Sequence, residues 1–109
     1  MLYTEFNANN NEYKLRLNTR AIVALEEKLG CNPMAIFGTT GTTIPTVTTM
    51  VQILHAALQQ YQHNITLEKA YTIFDEWIED GHAATEFLQV IIDVYRVSGI
   101  IPAENTEKN

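Results

Sequence analysis

Cysteine is nearly absent: Cys31 is the only one among 109 residues. No internal disulfide can form, and nothing in the composition asks for an oxidising compartment. Positive charge is also scarce. Seven Lys+Arg against thirteen Asp+Glu leave a net charge of −6 and a pI of about 4.9. Binders of duplex nucleic acid show the opposite balance, because neutralising phosphate supplies much of their affinity, so the charge argues against a helical DNA-binding regulator. No window approaches the roughly 18 consecutive apolar residues that suggest a membrane span. The opening residues, Met1–Glu5, lack the basic and apolar regions of a signal peptide. The expectation is a soluble protein of a reducing cytoplasm.

Groups for catalysis or metal binding are equally thin. His55, His63 and His82 are spaced by eight and nineteen residues, which matches no zinc motif, and no second cysteine can assist. Ser98 is the only serine and has no elbow motif around it. No histidine is near Cys31 in sequence. Neighbouring carboxylates such as Glu26-Glu27 and Asp75-Glu76 would point about 100° apart on a helix, so they do not converge on one atom. The stretch Gly38-Thr39-Thr40-Gly41-Thr42-Thr43 has the look of a phosphate loop, yet no Lys or Arg occurs between Lys28 and Lys69. It reads as a flexible loop. No catalytic, cofactor-binding or metal-binding residue is expected.

What is present is patterning. Leu2–Phe6 and Tyr13–Leu17 alternate apolar with polar residues, and the turn formers Asn7–Asn11 lie between them, which predicts a β-hairpin. Helical periodicity then begins after Asn18-Thr19, with Ile22, Leu25 and Leu29 on one side and Gly30 as the stop. Pro33–Phe37 suits one further helical turn. A helix over about 45–61 is predicted with Pro45 in its first turn and a stripe of Val47, Met50, Val51, Leu54, Leu58 and Tyr61. Another is predicted over Leu67–Asp80, capped by Thr66. Its Leu67, Ala70, Tyr71, Phe74, Trp77 and Ile78 face one way, and acidic residues that include Asp75 and Glu79 form a solvated opposite face.

The last helix, Ala83–Ser98, differs. Its apolar residues spread over about 220° of the helical wheel, more than one neighbour can cover. Two arrangements account for this. In one it is the central helix of a small bundle. In the other, one flank, formed by Leu88, Ile92 and Tyr95, docks onto another chain, with Leu54 and Leu58 of the 45–61 helix and the threonine loop alongside. The expected fold class is mainly α: a small bundle of about four helices with an N-terminal β-hairpin. It would form a single domain over 1–101, followed by a flexible tail over 102–109.

The order of segments resembles tail assembly chaperones of long-tailed, non-contractile phages and prophages of Gram-positive bacteria. The likeness runs over residues 12–101. It is carried by Tyr13–Gly30, Asn32-Pro33-Met34 with Ile36-Phe37, Ile53–Leu58, the His63 turn, Trp77–His82 and Val97-Ser98-Gly99. The resemblance implies a non-catalytic protein of the host cell cytoplasm that binds and solubilises the tape-measure protein during tail assembly and is absent from the mature virion. It also implies self-association and a frameshifted longer version as possible partners, with no nucleic acid, membrane or cofactor. The alternative is a small structural protein, a tail completion or connector subunit, retained in the virion. No partner-binding residue carries over from the family. The residues Leu88, Ile92, Tyr95, Leu54 and Leu58 rest on the apolar pattern alone. The acidic excess, all of it in residues 55–109, suits a protein that must stay soluble while covering another's apolar surface.

Overall fold

The computed structural model describes residues 2–103. Strands β1 (Thr4–Ala8) and β2 (Asn11–Leu15) form an antiparallel hairpin. It is followed by helices α1 (Thr19–Leu29), α2 (Val47–Leu58), α3 (Leu67–Glu79) and α4 (Phe87–Val97), with short 3-10 turns at Pro33–Phe37 and Ala84–Glu86.

The expected asparagine-rich connection is much tighter than its composition suggested. Only Asn9 and Asn10 form the turn, with φ of 52° and 63°. Positive φ at both central residues of a two-residue loop is the type I′ geometry that matches strand twist, and asparagine tolerates it better than other non-glycine residues. Asn7 and Asn11 are thereby drawn into the strands. Across them Phe6 pairs with Tyr13 and Thr4 with Leu15, so Phe6, Ala8, Tyr13 and Leu15 line one buried face.

Each of the first three α-helices begins on a side-chain oxygen. Asn18 accepts from the Ala21 amide, Thr46 from Thr49 and Thr66 from Lys69, at 2.8, 3.1 and 3.0 Å. Thr46 moves the start of α2 past Pro45, which lies buried before the cap rather than in the first turn. The same helix ends at Leu58 rather than Tyr61. The Gln62 side-chain amide takes the Leu58 carbonyl at 2.7 Å, and the chain turns away through Asn64 at φ 58°.

The expected mainly α bundle is corrected on two counts. Helix makes up 54% of the described residues, but the hairpin is a layer of the core: β1 packs on α3 and α4, and β2 on α2. The molecule is a two-stranded sheet packed with four helices around one continuous cluster of buried residues. The central helix is also α2, not the last one. α2 touches α1, α3, α4 and β2 and buries Met50, Val51, Ile53, Leu54, Ala57 and Leu58. Val47 and Tyr61, at the ends of its predicted stripe, are 50% and 37% exposed. Helix α4 buries one stripe, Phe87, Ile91, Val94 and Tyr95. A two-stranded sheet has only one face to cover, and the chain lays that face against α3 and α4. Helix α4 is therefore occupied by sheet on one side and left open on another. Of the expected tail over 102–109, residues 104–109 lie outside the described residues.

Polar groups bind the layers together. The strand direction continues past β2, where the Arg16 amide donates to the Ala57 carbonyl at 3.0 Å. Arg16 Nη1 donates to the carbonyls of Val97 and Leu2 at 2.6 and 3.0 Å, so a cation closes the C-terminal end of α4. The Leu17 amide donates to Ser98 Oγ at 2.8 Å. Gln62 occupies the outer edge of β2: its Oε1 accepts from the Lys14 amide at 2.9 Å, and its Nε2 donates to the Lys14 carbonyl at 3.0 Å. A side-chain amide thus covers one position of an edge strand.

Candidate partner-binding site

The five residues expected to face a partner separate into two groups. Leu54, Leu58 and Tyr95 are fully buried, so they support the core and present no surface; their place in a docking face is corrected. Leu54 and Leu58 sit on the hub helix, whose sides are nearly all occupied. Tyr95 points inward because its hydroxyl finds an acceptor there, the Pro33 carbonyl at 2.9 Å. Leu88 and Ile92 are half-buried, and Leu88 packs at the edge of the core.

Ile92 opens onto a surface cleft of about 530 Å³ between α4 and the loop after the first 3-10 turn. Met34, Phe37 and Ile101 supply the other apolar walls, the backbone of Gly38–Gly41 closes one rim, and Tyr95 lies at the bottom. Local sequence builds the loop side. Asn32 Oδ1 accepts from the Met34 amide at 2.8 Å and starts the 3-10 turn, with Pro33 at its first position. Gly38, at φ 77°, ends it. The threonine loop then closes on itself, with the Thr43 amide donating to the Phe37 carbonyl at 2.9 Å and Thr40 and Thr42 hydroxyls 2.7 Å apart. Phe37 stands edge-on to Tyr95 with ring centroids 6.3 Å apart. The one charged residue of the lining is Arg96, 3.8 Å from Asp93. The cleft therefore offers apolar contact and backbone polarity, which suits an apolar helical segment better than a charged small molecule.

Burial holds the Tyr95 phenol well above its ordinary value of 10.0, with the nearby Cys31 thiol adding to the shift. Tyr13 is raised as well, first by burial and then by the Glu76 carboxylate. Both act as neutral core groups. Two of the histidines tie structure together: His55 Nε2 donates to the Ile65 carbonyl at 3.0 Å. His82 stacks on Trp77 with centroids 4.5 Å apart and reaches Glu86 at 2.9 Å. Among the described residues no group of three or more His, Cys, Asp or Glu is placed to hold a metal ion.

Two features escaped the sequence reading. Glu76 and Asp80 clamp the hairpin turn, accepting from the Asn9 side chain at 3.4 Å and the Asn9 amide at 2.8 Å; nothing local links Asn9 to residues so far along the chain. The second is a groove of about 290 Å³ between α1 and α2, floored by Ala21, Ala24 and Ala56 and flanked by Arg20 and Lys28. Its sequence signal is the Arg20-Ala24-Lys28 spacing of i, i+4, i+8, which aligns small and basic residues on one helix edge.

Comparison with known proteins gives one family. The sequence model of DUF6096, described as a family of unknown function, matches residues 5–108. The chain belongs to that family. No curated protein and no solved structure matches it.

Proposed function

We propose that this member of the family is a non-catalytic tail assembly chaperone that binds apolar helical stretches of a phage tape-measure protein and keeps them soluble during tail assembly. The observation that carries the reading is the cleft beside α4. Met34, Phe37, Ile92 and Ile101 form apolar walls around a loop whose backbone is not tied into a helix or strand. A helix laid along such a cleft buries its apolar face and leaves its polar face in water. Net charge of −6 keeps the complex soluble. The resemblance of residues 12–101 to tail assembly chaperones supplies the identity of the partner.

The test is co-expression with the long, helix-rich reading frame expected beside the gene, followed by affinity capture. Wild-type chain should recover the tape-measure protein in the soluble fraction. Ile92→Asp and Met34→Asp should lose it while keeping the wild-type circular dichroism spectrum. Capture unaffected by both substitutions refutes the cleft as the docking site. Mass spectrometry of purified particles should find tails without this chain; its presence there at stoichiometric levels would instead make it a structural subunit.

A further inference from the structure

Charge enters the cleft beside α4 at one point. Ile92 and Arg96 are four residues apart, so they share one face of α4, about 6 Å apart along its axis. Both line the cleft, and no carboxylate shares that lining. The Arg96 side chain is 34% exposed, yet among the described residues its guanidinium donates no hydrogen bond. Its one ion-pair partner there is Asp93, a turn back, with Oδ1 at 3.8 Å, beyond hydrogen-bond reach. That same oxygen already accepts from Gln89 Nε2 at 2.9 Å. A planar fork of donors, the shape that matches a carboxylate, is thus left beside an apolar wall.

We propose that Arg96 selects which helical segments the cleft accepts: the docked helix packs an apolar anchor on Ile92 and sets an aspartate or glutamate, one turn away, on the Arg96 guanidinium. The inference rests on the tape-measure reading and names the feature by which this chain picks docking stretches along that partner. One helical turn rises about 5.4 Å, which matches the Ile92–Arg96 separation when the two helices lie side by side. A segment that is apolar at both positions covers Arg96 without giving it an acceptor, and stranding a charge in this way is costly. A lysine or arginine at the second position is repelled outright. Discrimination therefore comes from a penalty on wrong segments as much as from contact with right ones. The net charge of −6 opposes an acidic partner at long range, so the preference arises from the local contact and not from steering.

The test uses overlapping synthetic peptides that tile the neighbouring tape-measure reading frame, with binding to the full chain read by fluorescence anisotropy. Peptides that bind should share an apolar residue with Asp or Glu one helical turn away, and Ile92→Asp should abolish their binding. In the tightest binder, replacing that acid by lysine should weaken binding about fivefold or more. Arg96→Gln should do the same, and Arg96→Lys should cost less. Arg96→Glu should lose the original peptide and regain the lysine peptide to within about threefold of the wild-type pair. If Arg96→Glu disturbs the circular dichroism spectrum, Arg96→Gln decides the matter without a reversal of charge. Where co-expression captures the tape-measure protein but no peptide binds, Arg96→Gln is scored by capture yield in the same way. Failure of every peptide and of capture overturns the tape-measure reading and this inference with it. Binding that needs Ile92 but ignores Arg96→Gln, or a charge swap that restores nothing in folded Arg96→Glu, overturns this inference alone.

Discussion

Replacing Tyr95 by phenylalanine removes one oxygen and should reverse the order of stability of the two proteins between neutral and alkaline pH. The hydroxyl is buried and donates to the Pro33 carbonyl at 2.9 Å, joining α4 to the 3-10 turn that carries the cleft loop. Its loss leaves that acceptor without its donor, which costs about 1–2 kcal/mol. For a domain of this size each kcal/mol corresponds to about 4–8 °C of Tm. The sign changes at high pH. In the unfolded chain the phenol ionises near 10.0, while in the folded protein it holds its proton well above that value. The stabilisation from Tyr95 is therefore complete below pH 10 and declines as pH rises toward the folded value. One unit above 10 the decline amounts to about 1.4 kcal/mol. The Tyr95→Phe variant has no proton to lose at this position, and Tyr13 is common to both chains. Urea unfolding followed by circular dichroism should show wild type ahead at pH 8 and the two curves meeting near pH 11. A gap that stays constant through pH 11 would refute the buried-phenol argument. Equal stabilities at pH 8 would refute the hydrogen-bond argument.

Leu54→Ala and Leu58→Ala should each destabilise by about 2–5 kcal/mol in urea melts, because both lie in the centre of the core; Ile92→Asp, at a half-buried edge, should cost less than either while abolishing capture of the partner. Arg16→Ala should lower stability by about 1–2 kcal/mol by freeing the Val97 and Leu2 carbonyls, and hydrogen exchange should show the last turn of α4 opening first. Gly38→Ala should cost more in thermal melts than Gly30→Ala. Both place alanine at positive φ, at about 1–2 kcal/mol, but only at Gly38 would the new methyl overlap Thr43 Oγ1. Gln62→Ala uncovers the Lys14 edge of β2 and should raise light scattering on storage relative to wild type.

Much of the chain is written locally. Asn18 and Thr66 mark helix starts because a capping oxygen satisfies an amide two or three residues away, whereas the Thr46 cap was hidden behind Pro45; Gly30 ends α1 because it adopts positive φ at +71°. The alternation at Tyr13 and Leu15 sets which face of the hairpin is buried. The cleft was partly legible too: Ile92 and the Gly38–Gly41 stretch stand out in sequence for surplus apolarity and for loop composition. Leu54, Leu58 and Tyr95 misled because a helical wheel reports which residues are apolar, and not which neighbour covers them.

Residues within one or two turns of each other, or simple counting, account for the helices, the hairpin and the acidic excess. That α2 is the hub and that the hairpin belongs to the core follows from packing between distant segments. Packing also places Ile92 in one cleft with Phe37 and Met34, and brings Glu76 and Asp80 onto the Asn9 turn. These are contacts between segments tens of residues apart. Their geometry follows from how two short strands and four helices share one apolar interior, and no local pattern encodes that competition.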